Sequence, residues 1–183
     1  MAEPAVLHIH TDGASRGNPG AAAYAFVIRR PDGEVIEEAD CLGRMTNNQA
    51  EYTALVRALE RALGLGAEHG LSIHSDSELM VKQMRGEYRV KNEELRDLYE
   101  QARELAGRFR GRVTFQHVRR GDNTRADALC NEALDGKRGR GCPAPPSLRE
   151  QAVACLRRAG VAAPEALWGE LATLMEKNGV RLP

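Results

Sequence analysis

Thr11-Asp12-Gly13-Ala14-Ser15-Arg16-Gly17-Asn18-Pro19-Gly20 is the stretch on which the reading of this chain turns. Val6 to Thr11 before it reads as a short strand, ended by the turn residues Asp12-Gly13 and the run Gly17-Asn18-Pro19-Gly20. A strand terminus would hold the Asp12 carboxylate rigidly. The glycines let backbone amides approach a phosphate closely, and Asn18 can bond a base edge or a sugar. The segment is not a P-loop, because the Lys-Ser/Thr pair is missing.

Working outward, Ala21 to Arg30 and Glu34 to Leu42 read as a hairpin around the turn Pro31-Asp32-Gly33. Asn47 or Asn48 can cap a helix running to about Leu65, with Leu55, Leu59, Ala62 and Leu63 at helical spacing. Leu71 to His74 follows as a strand. Ser77 caps a helix ending near Arg85, and a longer helix fits Asn92 to Gly107. Val113 to Val118 is the last strand, and Asn123 caps a helix that includes Asp127. The order β-β-β-α-β-α-α-β-α predicts an α/β fold. Its mixed five-stranded sheet would combine an antiparallel meander with parallel strands, flanked by helices.

The composition change at Gly136 divides the chain into three expected parts: a domain over 1–136, a Gly/Pro/basic linker over 137–146, and a small helical extension over 147–183. Lys+Arg and Asp+Glu both number 26, so global charge announces no partner. Local charge is more telling. Lys82, Arg85, Arg89 and Lys91 face one acid, Glu87, and the interval Arg103 to Arg125 is rich in arginine. Such runs are usually solvated faces, yet two of them also suit a groove that tracks a nucleic-acid backbone. Aromatics are only 4%, which argues against a surface built from base-stacking platforms. Cys41, Cys130, Cys142 and Cys155 show no CxxC or metal-like spacing, so a reduced, cytoplasmic compartment is expected. The first residues lack a secretory signal pattern, and no apolar run is long enough to cross a bilayer. A monomer is expected.

Four acids stand in short polar motifs: Asp12 in TDGASRGNPG, Glu51 in TNNQAEY, Asp76 in HSDSE and Asp127 in NTRADAL. Each alone is an ordinary surface group, turn residue or helix cap. Four that converge would repel one another, and a hard divalent cation with oxygen ligands is the usual remedy.

At TDGASRGNPG, TNNQAE and SDS the chain resembles the type 1 ribonuclease H family, over roughly residues 3 to 136. The resemblance implies the same sheet and cleavage of the RNA strand of RNA–DNA hybrids, leaving 5′-phosphate and 3′-hydroxyl ends. It also implies two Mg²⁺ ions, with Mn²⁺ as a substitute, held by Asp12, Glu51, Asp76 and Asp127. Ser15, Asn18, Asn47, Asn48, Ser77 and Glu78 are then the expected hybrid contacts, and Lys82, Arg85 or Lys91 would meet the DNA strand. Many members have a histidine in the loop before the last acid. Here Arg119-Arg120-Gly121-Asp122-Asn123 contains none, which resembles the shorter, archaeal-like subgroup. Arg119 or Arg120 would contact the phosphate or assist product release instead, and His117 reads as a strand residue. The alternatives are another nuclease with the same acid cluster, or a non-catalytic hybrid-binding module.

Overall fold

Alternation along the second strand explains why the sheet is covered on both faces. Tyr24, Phe26 and Ile28 enter one apolar core, while Ala23, Ala25 and Val27 enter another. A strand buried on both sides needs a helix on each side. In the computed structural model, which describes residues 5–138 and 148–177, that is what surrounds it.

The strands are β1 (Val6–Gly17), β2 (Gly20–Arg29), β3 (Val35–Met45), β4 (Gly70–Ser75) and β5 (Val113–His117). They form one five-stranded sheet in the order β3-β2-β1-β4-β5. The pairs β1–β2 and β2–β3 are antiparallel, and β1–β4 and β4–β5 are parallel. This is the mixed sheet expected from the element order. The helices of this unit are α1 (Asn47–Leu63), α2 (Glu78–Met84), α3 (Glu93–Gly107) and α4 (Thr124–Leu134). Tyr52, Leu55 and Leu59 of α1 share a core with Leu95 and Leu105 of α3 and with Leu7 and Ile9 of β1. Ala126, Leu129, Cys130 and Ala133 of α4 pack on the alanine face of β2.

Three local expectations need correcting. First, β1 does not end at Asp12. Its pairing with β2 continues from Asp12↔Ala25 to Gly17↔Gly20, so Asp12-Gly13 lies inside a long hairpin arm rather than in a turn. Second, α1 is capped by Thr46, not Asn47 or Asn48. The Thr46 Oγ1 accepts from the Gln49 N–H at 3.3 Å while the Gln49 Oε1 accepts from the Thr46 N–H at 2.8 Å, a reciprocal capping box. Third, Cys41 is disulfide-bonded, whereas Cys130 and Cys155 are free. Spacing along a chain does not say which sulfurs fold together.

The chain divides into two compact units, Met1–Pro143 and Ala144–Pro183. The second contains α5 (Leu148–Arg158) and α6 (Pro164–Lys177), joined by an Arg157–Glu165 ion pair, with Val153 buried. Most of the expected linker over 137–146 lies outside the described residues. Among the described residues, no helix is long and apolar enough to cross a membrane.

Gly13 fixes how closely α1 can approach the sheet. A Cβ there would sit 2.2 Å from both Ala50 C and Glu51 N, which are backbone atoms that no rotamer change can move. Gly13→Ala should therefore push α1 off β1 and destabilise the fold by about 1–3 kcal/mol, the usual range for overpacking. Gly107→Ala at the end of α3 meets nothing within 4 Å and should be neutral or slightly stabilising. Chemical denaturation of the two variants beside the parent checks both statements.

Candidate active site

The register of β1 against β4 brings the first two acids together. Their parallel pairing ends at Thr11↔Ser75, so Asp12 is the next residue of β1 and Asp76 is the first residue past β4. Both carboxylates thus leave the sheet where the strands part. Glu51 comes from the other direction. It lies in α1, whose backbone rests against Gly13, one residue beyond Asp12. Carboxylate oxygens of Asp12, Glu51 and Asp76 lie within 4.8 Å of one another. Asp12 and Glu51 are buried, and Asp76 is half-buried.

Asp127 stands beside this trio rather than within it. Its Oδ1 accepts from the Arg120 Nη2 at 3.2 Å and its Oδ2 from the Asn131 Nδ2 at 3.2 Å. Arg120 Nε also lies 3.9 Å from Asp76 Oδ2, so one guanidinium spans two of the four acids. Arg120 comes from a short 3₁₀ turn, Arg120–Asp122, that leads into α4. Arg119 is exposed and has no ion pair among the described residues.

Crowding and burial change the proton affinity of the acids. Burial, followed by the charges of Asp76 and Asp127, pushes the Asp12 carboxyl up to about 7. Burial, then the charges of Asp12 and Asp76, holds Glu51 well above the usual carboxylate range, although the Gly13 N–H opposes this. Asp12 Oδ2 and Glu51 Oε2 are buried and have no hydrogen-bond partner among the described residues. Buried polar atoms are normally satisfied, so two orphaned oxygens in one acidic pocket call for an explanation. A hard divalent cation answers both anomalies, because it takes oxygen ligands and offsets their repulsion. The donor set fits such an ion.

The expected hybrid contacts fall into two groups. Ser15 and Asn18 lie at the β1–β2 tip and Asn47 and Asn48 at the start of α1. The Asn47 N–H donates to Asn18 Oδ1 at 3.1 Å, and the Ser15 N–H donates to Asn47 Oδ1 at 3.3 Å. These bonds use the amide oxygens, and both Asn18 and Asn47 are exposed. Ser77 and Glu78 open α2, and the Ser77 N–H donates to Ser75 Oγ at 3.1 Å. Glu78 is ion-paired with Lys82 at 2.7 Å. Arg85 donates from Nε to the Phe115 carbonyl at 2.8 Å, so this base is partly engaged within the fold. His117 ends β5, paired in register with Ser75 and exposed, as a strand residue would be.

From sequence alone Asn123 reads only as a helix cap. Its side chain makes no cap bond. The amide Nδ2 donates instead to the Thr11 carbonyl at 2.9 Å and to Asp76 Oδ1 at 3.3 Å. Its position four residues before Asp127 was the available signal, but helix caps are so common that the signal is easily absorbed by the local reading.

Comparison with known proteins agrees with this geometry. The family model described as "Reverse transcriptase-like" matches residues 10–133. Ribonuclease HI of Halobacterium salinarum is 46% identical over 130 residues, which cover 70% of this chain and 64% of that protein. The chain thus spans somewhat under two thirds of that curated relative. The crystal structure of RNase H1 from the same archaeon superposes with a TM-score of 0.67, covering 71% of this chain and 98% of that one. LC11-RNase H1, solved in complex with an RNA/DNA hybrid, is 38% identical with a TM-score of 0.67, covering 72% and 98%. With its sheet order, its acid trio and these identities, the chain belongs to the type 1 ribonuclease H family.

Proposed function

We propose that this chain is an endoribonuclease that hydrolyses the RNA strand of RNA–DNA hybrids and leaves 5′-phosphate and 3′-hydroxyl ends. The observation that carries the reading is the acid trio: three carboxylates from β1, α1 and the end of β4, gathered within 4.8 Å with two buried oxygens unpartnered. The complex of LC11-RNase H1 with an RNA/DNA hybrid supports the choice of substrate. The domain responsible is residues 1–136, with 147–183 as an appended helical extension.

In this reading Asp12, Glu51, Asp76 and Asp127 hold two Mg²⁺ ions, for which Mn²⁺ can substitute. Bound cations of this kind supply an activated water and charge stabilisation for the departing oxygen. The chain's own groups do the rest. Asp12, whose burial favours the protonated acid, would have to be ionised to hold a cation. Asn18, Asn47 and Asn48 present amide donors to the minor groove, where 2′-hydroxyls mark the RNA strand. Arg120 turns from Asp127 and Asp76 toward the phosphate, with Arg119 beside it. Lys82, Arg85 and Lys91 flank the DNA strand and contribute an attraction that weakens with salt.

Asp76→Asn keeps the shape of the side chain but removes its charge. Hybrid cleavage should fall more than about a hundredfold, beyond the ten- to hundredfold typical of residues that only support a metal ligand. Hybrid affinity, measured by fluorescence anisotropy in Ca²⁺, should change little. Cleavage within tenfold of the parent would remove Asp76 from the metal site.

The raised proton affinity of Asp12 also fixes a pH dependence. Its carboxyl titrates near 7 in the fold against a usual 3.8, so the fold favours the protonated acid. The stability this confers is fully present below about pH 4 and is lost as pH rises through 7. Metal-free protein should therefore lose thermal stability between pH 5 and 8, and Mg²⁺ should raise the melting temperature more at pH 8 than at pH 5. Differential scanning fluorimetry with EDTA or Mg²⁺ reads both effects. Asp12→Asn should flatten the pH dependence, and a variant as steep as the parent would assign it to other groups.

A further inference from the structure

Asn123 is 1% exposed and reaches three of the elements that bear the acids. Its Nδ2 donates to the carbonyl of Thr11, the residue before Asp12, and to Asp76 Oδ1. Its backbone carbonyl accepts from the Asp127 N–H at 3.1 Å, the first helical bond of α4. The remaining atom, Oδ1, lies 3.2 Å from Nδ1 of His10.

That fourth contact decides which way the amide points. A carboxamide fits its socket in two orientations that exchange oxygen and nitrogen. The reversed one would aim Oδ1 at the Thr11 carbonyl and the Asp76 carboxylate, placing acceptors against acceptors. The observed one needs a donor on the other side. His10 supplies it as the tautomer that bears its proton on Nδ1. The His10 ring is itself held in place, stacked on His74 with centroids 4.8 Å apart and planes 14° apart. The His74 Nε2 is 3.0 Å from Ser72 Oγ. The chain of contacts therefore runs from the open part of the sheet, through His10, to the Asp76 carboxylate.

We propose that Asn123, oriented by the Nδ1–H of His10, is a positioning residue for the acidic centre. It fixes the Asp76 carboxylate through Oδ1 and leaves Oδ2 for a cation. It also ties the end of β1 to the start of α4, so that Asp12, Asp76 and Asp127 keep their spacing when the cation is absent. The inference rests on the reading of these acids as metal ligands.

The test uses the full chain and Mn²⁺ alone, with binding measured by isothermal titration calorimetry without substrate. His10→Phe keeps a stacking ring but loses the donor. His10→Asn loses the ring but keeps an N–H donor near the position of Nδ1. Asn123→Leu keeps the volume and removes the amide. Asn123→Leu and His10→Phe should weaken Mn²⁺ binding about ten- to hundredfold, as losing the support of a ligand usually does. His10→Asn should stay within about threefold of the parent. In cleavage assays the KM for hybrid should hold steady while the Mn²⁺ concentration for half-maximal rate rises. If His10→Phe binds Mn²⁺ as the parent does, or if His10→Asn is impaired as much as His10→Phe, the role given to the donor is wrong. The His10 pair decides the matter even if Asn123→Leu does not fold. A parent protein that binds no Mn²⁺ overturns the metal reading itself and this proposal with it. Normal binding in the parent with unchanged affinity in the variants overturns this proposal alone.

Discussion

Three carboxylates within 4.8 Å of one another, two of them buried, form an arrangement that a folded chain does not hold without compensation. Like charges at that separation repel more strongly as water is removed, and burial alone disfavours each charged form. Both effects are visible in the raised proton affinities of Asp12 and Glu51. A site that is relaxed only when protonated or when filled by a cation is destabilised in its empty, ionised state. The rest of the fold has to supply the rigidity that keeps it gathered.

That rigidity comes from close backbone contact rather than from large side chains. Gly13 lets α1 rest directly on β1, and the alanines at 23 and 25 let α4 approach the opposite face of the sheet. A bulkier residue at any of these points would move an acid-bearing element outward. The apolar cores on the two faces are therefore unequal. One is filled by leucines, isoleucines and aromatics, and the other is lined mostly by alanine. The thin core lies under α4, the helix that bears Asp127. The Arg16–Asp135 ion pair joins the β1–β2 tip to the residue just past α4, and a bidentate Arg125–Glu37 pair joins α4 to β3. The Arg16–Asp135 pair is largely exposed and contributes little energy, whereas the forked Arg125–Glu37 pair, with Glu37 only partly exposed, is the better-placed of the two to fix register.

Much of this was legible in the residues. The strand and helix order followed from turn residues and apolar spacing, and the sheet order follows from that succession with little freedom. Asp12, Glu51 and Asp76, which the fold gathers, each stand out in sequence because they sit in a polar motif at the edge of an element. Their exact setting does not. Asp12-Gly13 looks like a turn because Asp-Gly pairs usually are one. Only the partner strand β2, with its run of small residues, shows that extended pairing continues through it. The asparagines after Thr46 are equally good caps by residue type, and only the Thr46–Gln49 spacing, the capping-box signature, distinguishes Thr46. His10 and Asn123 are 113 residues apart, and nothing local in either segment announces their contact. Long-range pairings of single polar side chains leave no periodicity to read.

The loop before Asp127 contains no histidine, but it places Arg120 beside two of the acids. Its guanidinium lies against Asp127 and near Asp76, so a positive charge partly offsets the acids before any cation arrives. The side chain is 76% exposed, and such pairs are worth at most about 1 kcal/mol. A pair this exposed opposes a competing cation less than a buried ion pair would. A guanidinium also carries a fixed charge and forked donors, the geometry that suits a phosphate. A neutral imidazole in the same loop would bring no such charge to offset the acids.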